Sequence, residues 1–189
     1  MARSRRAGSG AVLLGVSCVL AIAGCAGGKE SRKQAQCVAT GQRLIATANV
    51  VGKSGSGLLG NAVFEQRDGR VQVHVQLQQA PPGKHAVVVH DSGDCAGARA
   101  ENTGAVFNPT LAPAGGPGRI GDIEVGADGN GELEAQSELL TVQAGPLSVL
   151  YRALVIHAPP AEQITDASST RATRIGCGAI TMRPELLAP

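Results

Sequence analysis

Residues 70–78 read RVQVHVQLQ, and this stretch decides the fold class. From Val71 to Leu77 the odd-numbered residues are apolar, while the even-numbered residues are glutamines and one histidine. Successive side chains of a strand point to opposite faces, so this alternation predicts a strand with one buried face and one exposed face. Asp68-Gly69, directly before it, is typical of a tight hairpin turn. The segment therefore predicts an antiparallel strand.

Similar runs recur on both sides, with turn sequences between them. Further strands are expected at residues 43–51, 58–67, 85–90, 120–126, 132–136, 149–157 and 177–183. Asp128-Gly129-Asn130-Gly131 predicts a second hairpin, and residues 91–118 predict a long loop rich in Gly, Pro, Ala and Asn. About eight short strands with tight turns indicate an all-β protein, a Greek-key barrel or sandwich.

The composition agrees with this class. The 189 residues are 43% hydrophobic with only three aromatic side chains, so the core must be built largely from Ala and Val. The length suits one domain. A net charge of +2, without interleaved aromatic and basic residues, argues against a nucleic-acid-binding protein.

Residues 1–24 are expected to be an export signal. Arginines near the start precede the apolar segment Ala11–Ala23, which is shorter than the roughly 20 residues that span a bilayer. Ile22-Ala23-Gly24-Cys25 is similar to a bacterial lipoprotein signal, in which cleavage leaves Cys25 as a lipidated N-terminus. An ordinary secretory signal is the alternative. Both predict a protein outside the cytoplasm.

The mature chain is expected to have two parts. Residues 25–43 are small and polar and predict a flexible tether, and residues 44–184 predict the folded domain. Removal of residues 1–24 takes three arginines from the 17 basic residues, leaving 14 against 15 acidic ones and a formal charge of −1. The expected location is the bacterial cell envelope, with the lipid on Cys25 holding the protein to the membrane.

Three cysteines remain once Cys18 is removed with the signal and Cys25 carries lipid. An oxidising compartment favours a disulfide between two of them. Cys95 and Cys177 lie within the folded domain whereas Cys37 lies in the tether, so we expect a Cys95–Cys177 bond. Cys37 is then a free thiol or an intermolecular link.

Motifs along residues 45–182 resemble the Cu/Zn superoxide dismutase family, in order and in spacing. They include Phe64-Glu65-Gln66, Asp68-Gly69, Pro82 to His90, Gly93-Asp94-Cys95, Gly104 to Pro109, Gly115-Gly116-Pro117, Gly121-Asp122-Ile123, Ser148 to His157, and Arg174 to Gly178. The resemblance implies an eight-stranded Greek-key β-barrel, which agrees with the strand count. It also implies copper-dependent dismutation of superoxide to dioxygen and hydrogen peroxide.

The copper site that the resemblance implies is incomplete. The family holds copper with four histidines, and these positions carry Val88, His90, Val106 and His157. The valine at position 106 replaces the histidine that bridges copper and zinc. His85 falls on the opposite strand face from His90, and the family's histidine there has a structural role. His74 lies on the polar face of another strand. Two readings of His90 and His157 remain open: weak copper binding, or two neutral imidazoles hydrogen-bonded in a vestigial pocket.

The implied zinc site retains one ligand. Its remaining positions carry Ala114, Arg119 and Asp122, and only Asp122 is a zinc ligand type. We expect no zinc. Residues 104–122 would then be held by the disulfide and local packing, while Asp122 pairs with Arg119 or caps a turn.

Three functions remain open on this basis. In the first, an envelope lipoprotein of the family handles copper with weak or absent dismutase activity. In the second, a working copper-only dismutase obtains its missing ligands from a partner subunit or from residues that a shifted alignment would bring to these positions. The two valines oppose this function, because hydrocarbon disfavours a metal ion. The third is a structural or partner-binding barrel. Arg174 matches the family's arginine that guides superoxide by charge, and ancestral packing is the alternative role.

Overall fold

Eight antiparallel strands form a closed barrel in the described part of the chain. The computed structural model describes residues 43–112, 116–164 and 173–183. The chain divides into two units, residues 1–37 and 38–189, and the described residues all belong to the second. Four features that the sequence predicts lie outside the described residues: the signal, the lipidation of Cys25, the role of Cys37, and the zinc-site position Ala114. None of the helices in the described ranges is long and apolar enough to cross a membrane.

The strands begin and end close to the turn sequences identified above. They are β1 (Leu44–Gly52), β2 (Leu59–Arg67), β3 (Arg70–Gln78), β4 (Gly83–His90), β5 (Arg119–Val125), β6 (Gly131–Ser137), β7 (Ala153–His157) and β8 (Arg174–Met182). Around the barrel they run β1-β2-β3-β6-β5-β4-β7-β8, and β8 pairs with β1 to close it. Because β6 and β5 lie between β3 and β4, the order is that of a Greek key. The predicted all-β eight-stranded barrel is confirmed.

The last two strands differ from the prediction. β7 begins at Ala153 rather than at residue 149, because Tyr151 has a left-handed backbone conformation with φ of 63°. That conformation cannot continue a strand. β8 begins at Arg174, three residues earlier than expected, because Arg174 and Gly176 pair with His157 and Ile156 of β7.

The barrel interior is filled by small and branched side chains. In β3, Val71, Val73, Val75 and Leu77 are each at most 2% exposed, as their alternation predicts. They pack with Ala46, Ala48, Val50, Phe64, Val87, Val89, Ile123, Leu154, Ile156 and Ile180, among others. Burial of this apolar surface is the main stabilising contribution to the barrel.

Part of the outer surface is also buried. On β4 the alternate residues Ala86, Val88 and His90 face outward, yet each is fully buried. The loop after β4 returns to pair His90 with Val106, and a three-residue 3₁₀ turn, Ala161–Gln163, follows β7. His90, His157 and Arg174 are buried in this region.

Candidate functional site

His90 and His157 meet beneath the loop that follows β4. Strand pairing places His157 beside Ala86 and His90 beside Ala153, so the two histidines lie on one outer face at either end of a β4–β7 segment. Their Nε2 atoms are 2.9 Å apart, their rings stack with centroids 5.1 Å apart, and both residues are fully buried. The structure thus joins two of the predicted site residues that are 67 positions apart in sequence.

The proton positions of His90 follow from its partners. Its Nδ1 lies 2.9 Å from the carbonyl oxygen of Gly104, which can only accept, so Nδ1 carries the proton and Nε2 carries a lone pair. Desolvation by burial lowers the pKa of His90 from 6.5 to about 4; the Gly104 carbonyl opposes this shift and the charge of Arg174 adds to it. The ring is therefore neutral at neutral pH. The 2.9 Å contact in turn requires the His157 ring to donate from Nε2.

Hydrocarbon lines the same face. Val88 and Val106 are 0% and 4% exposed, and they form a small apolar cluster with Ala86 and Ile164. Ala161 packs against this cluster. Ile164 was not predictable from the sequence, because a single apolar residue in a loop gives no periodic pattern. The methyl groups of these residues occupy the face on which the resemblance places two imidazoles.

Arg174 lies within the same buried region. Its side chain donates from Nη1 to Ala100 O at 2.6 Å and from Nη2 to Gly104 O at 3.2 Å. The residue is 5% exposed, and its Nε is buried without a hydrogen-bond partner among the described residues. Burial lowers the pKa of Arg174, with Glu101 opposing the shift. In this arrangement the guanidinium holds two loop carbonyls, one of which also binds His90.

Asp122 and Arg119 both bind the 3₁₀ turn after β7. Asp122 Oδ1 accepts from the Ala161 N–H at 2.6 Å, and Arg119 Nη1 donates to the Ala161 carbonyl at 2.6 Å. The ion-pair partner of Asp122 is Lys84, at 3.2 Å, rather than Arg119 as one alternative expected. The other alternative, capping of a turn, is the arrangement found.

The disulfide forms between Cys95 and Cys177, as expected. Cys177 is fully buried on β8, and Cys95 lies in the loop after β4, so the bond fastens this loop to the barrel wall. Lys53 reinforces the attachment, since its Nζ donates to the Cys95 carbonyl at 2.6 Å.

The two other histidines lie apart from the pair. His85 points away from it, as the strand alternation predicts, with its ring nitrogens 2.8 Å from Ala158 O and 2.7 Å from Pro81 O. His74 lies on the exposed face of β3, where its Nε2 is 2.5 Å from Glu132. Neither ring joins His90 and His157.

Residues 58–180 match the family model for copper/zinc superoxide dismutase. The match begins at the residue before β2 and ends within β8, so it covers the barrel except β1 and the end of β8. The chain belongs to the copper/zinc superoxide dismutase family. Both the family and the fold that the sequence motifs implied are thereby confirmed.

The metal donors of this superoxide dismutase family member are few. Among the described residues, no three His, Cys, Asp or Glu side chains lie close enough together to hold a metal ion. At the zinc positions, the carboxylate of Asp122 is engaged by Ala161 and Lys84. At the copper positions, two imidazoles contact each other. These donors do not fit the four-ligand copper and zinc sites that the resemblance implies.

Proposed function

We propose that this chain is a superoxide dismutase-like lipoprotein of the bacterial cell envelope whose dismutase activity is weak or absent. The observation that carries the proposal is the buried contact between His90 and His157, 2.9 Å between Nε2 atoms, with Val88 and Val106 at the other two copper positions. Valine offers no donor atom and cannot move a proton. The family reaction needs a metal that cycles between two oxidation states, and these side chains support that poorly.

Access to the site supports the same proposal. Superoxide is an anion that must reach the reacting centre, yet His90 and His157 are fully buried. Arg174, the candidate for anion guidance, is 5% exposed and has its Nη groups on loop carbonyls. A guanidinium engaged in this way is a weak attractor for an incoming anion, because steering relies on a field that extends into solvent.

One observation favours a second function, the non-catalytic handling of copper. Metal-binding histidines commonly donate their other ring N–H to a carbonyl group, and His90 Nδ1 does so to Gly104 O. Its Nε2 lone pair faces the ring of His157, and imidazole nitrogens are good copper ligands. A structural or partner-binding barrel is the remaining alternative, in which the two rings only bind each other.

The envelope location rests on the sequence. The apolar segment before Cys25 and the polar tether that follows support export, lipidation and membrane attachment. The domain would then stand outside the cytoplasm, where the Cys95–Cys177 disulfide is stable.

A copper titration coupled to superoxide consumption tests the proposal. The purified, disulfide-intact protein receives an equimolar amount of copper, and bound metal and superoxide consumption are measured together. We expect little or no turnover. Copper that is retained, and then lost in His90→Ala and His157→Ala, supports copper handling; no retained copper supports the structural barrel. His74→Ala is the matched control, because it removes an exposed imidazole outside the pair.

One outcome would overturn the proposal. Rapid dismutation that disappears in His90→Ala and His157→Ala, but persists in His74→Ala, would mean that the protein completes its copper site with other ligands.

A further inference from the structure

The side chains of Arg119 and Asp122 bind the two backbone polar groups of one residue, Ala161. The Asp122 carboxylate accepts from the backbone N–H of Ala161, and the Arg119 guanidinium donates to the backbone C=O of the same residue, each at 2.6 Å. Both contacts pair an ionised side chain with a backbone group, a type of hydrogen bond stronger than a neutral one. We call this arrangement the Ala161 clamp.

The clamp connects parts of the chain that are distant in sequence. Arg119 begins β5 and Asp122 lies within it, whereas Ala161 begins the 3₁₀ turn after β7, 39 residues beyond Asp122. Lys84 of the neighbouring strand β4 adds a 3.2 Å ion pair to the second oxygen of Asp122. The clamp thus ties the turn that covers the apolar cluster to two adjacent strands.

We propose that the Ala161 clamp replaces zinc as the structural tie in this chain. The sequence resemblance places Arg119 and Asp122 at zinc-ligand positions, and in this structure both side chains are hydrogen-bonded to the backbone of Ala161. A guanidinium at one of these positions also repels a divalent cation, because like charges in a partly buried region are weakly screened. The proposal concerns the zinc positions alone and is independent of whether His90 and His157 bind copper.

The cluster beside the clamp supports the same inference. Ala161 packs on Val88, Val106 and Ile164, so the covering turn is held by apolar contact on one side and by two ionic hydrogen bonds on the other. From the sequence, the disulfide and local packing were expected to hold residues 104–122, and Asp122 to pair with Arg119 or to cap a turn. The contact of Asp122 with the turn was one of the expected alternatives, whereas the contact of Arg119 with the Ala161 carbonyl was not expected.

Amide hydrogen exchange at Ala161 in the full chain tests the clamp directly. Asp122→Ala removes the acceptor of this N–H, and Arg119→Met removes the guanidinium while keeping an aliphatic stem. Asp122→Ala is expected to speed exchange at Ala161 about tenfold or more, since it removes the charged acceptor of this N–H. Arg119→Met is expected to speed it by a smaller factor, because it frees the carbonyl of the same residue and loosens the turn. Glu124→Ala, an exposed carboxylate on the same strand, is the matched control and should leave the rate unchanged.

Metal dependence supplies the second readout. We expect the Ala161 exchange rate and the melting temperature of the wild-type chain to be unchanged by a chelator or by equimolar zinc. A rate slowed by zinc in the wild type, but not in Asp122→Ala, would overturn the proposal, because zinc would then provide the tie. Unchanged exchange in both clamp variants would overturn it equally.

If Asp122→Ala or Arg119→Met prevents folding, conservative variants can be used for the same exchange measurement. Asp122→Asn retains an acceptor oxygen without the charge, and Arg119→Lys retains a positive charge without the planar fork. We expect exchange at Ala161 to be intermediate in both. Rates equal to that of the wild type would contradict a clamp that depends on charge.

Discussion

At the scale of single residues, replacement of imidazole by valine changes the chemistry of the β4 face. Val88 and Val106 are buried with Ile164 in one apolar cluster. The same substitutions remove donor atoms and add apolar burial, which stabilises the folded chain. The residues that would bind metal in the family thus contribute to packing here.

The burial of His90 makes the stability of the fold depend on pH. Burial lowers the pKa of His90 from 6.5 to about 4, so below pH 6.5 the unfolded chain binds a proton that the folded chain does not. The contribution of neutral His90 to the free energy of unfolding is therefore complete above about pH 6.5. As the pH falls to about 4, the free energy of unfolding decreases by about 3 kcal/mol. Urea unfolding of the chelator-treated protein across this range measures it. His90→Gln is the reference, and the same pH slope in both proteins would contradict the prediction.

The hydrogen bonds of Arg174 are expected to hold the loop after β4. Arg174→Ala removes the charged donor from the carbonyls of Gly104 and of Ala100, which is fully buried, and we expect it to destabilise the fold by about 2–3 kcal/mol. Arg99→Ala removes an exposed arginine from the same loop and should change stability by less than about 0.5 kcal/mol. Urea unfolding of both variants makes the comparison. A loss of stability no larger than that of the control would show that Arg174 does not hold the loop.

At the scale of elements, the loop after β4 is pressed against its strand. Gly118 donates to Phe107 O at 2.9 Å, and its carbonyl accepts from the Val89 N–H at 2.7 Å. A Cβ at Gly118 would lie 2.5 Å from Phe107 O and 2.8 Å from Val89 O. Only glycine allows the backbone segments to approach this closely.

Gly118→Ala tests this close approach. Both clashing atoms belong to the backbone and cannot rotate away, so we expect destabilisation of about 1–3 kcal/mol. Gly57→Ala is the matched control: a Cβ there meets no atom within 4 Å, and we expect a change within about 0.5 kcal/mol. Thermal or urea unfolding measures the stability of both variants, and equal stability would contradict a steric requirement for glycine at position 118.

The disulfide is the second element-scale device. It joins the loop after β4 to β8 across 82 positions, and a ring of this size contributes roughly 4–5 kcal/mol in the chain-entropy model. We expect reduction to lower the free energy of unfolding by about 2–5 kcal/mol. Urea unfolding with and without reductant measures the change. Cys37→Ser should respond to reductant as the wild type does, and an identical midpoint in both conditions would contradict the prediction.

At the scale of the whole molecule, the sequence predicts attachment to a membrane without a spanning segment. Lipid on Cys25 would hold a domain with a formal mature charge of −1 through the tether. We expect Cys25→Ser to move the protein from the membrane fraction to the soluble fraction while leaving its melting temperature unchanged. Fractionation and thermal unfolding measure the two effects. Retention of the variant in the membrane fraction would contradict lipid anchoring at this residue.

Much of the architecture was predictable because it depends on local patterns. Alternation with period two set the inward residues of β3, and turn sequences such as Asp68-Gly69 set its start. The cysteine count predicted the disulfide, and the same alternation placed His85 and His90 on opposite faces. The error at β7 arose because the left-handed conformation of Tyr151 depends on its surroundings, and the sequence pattern there continues as a strand would.

The sequence alone determined the fold class, the family and the identity of the side chains at the metal positions, since each depends on residue type and order. Only the tertiary structure decided how those side chains are used. The contact between His90 and His157 and the clamp on Ala161 join residues 67, 42 and 39 positions apart. Such contacts depend on strand register and on the path of the covering loops, which arise from packing of the whole barrel.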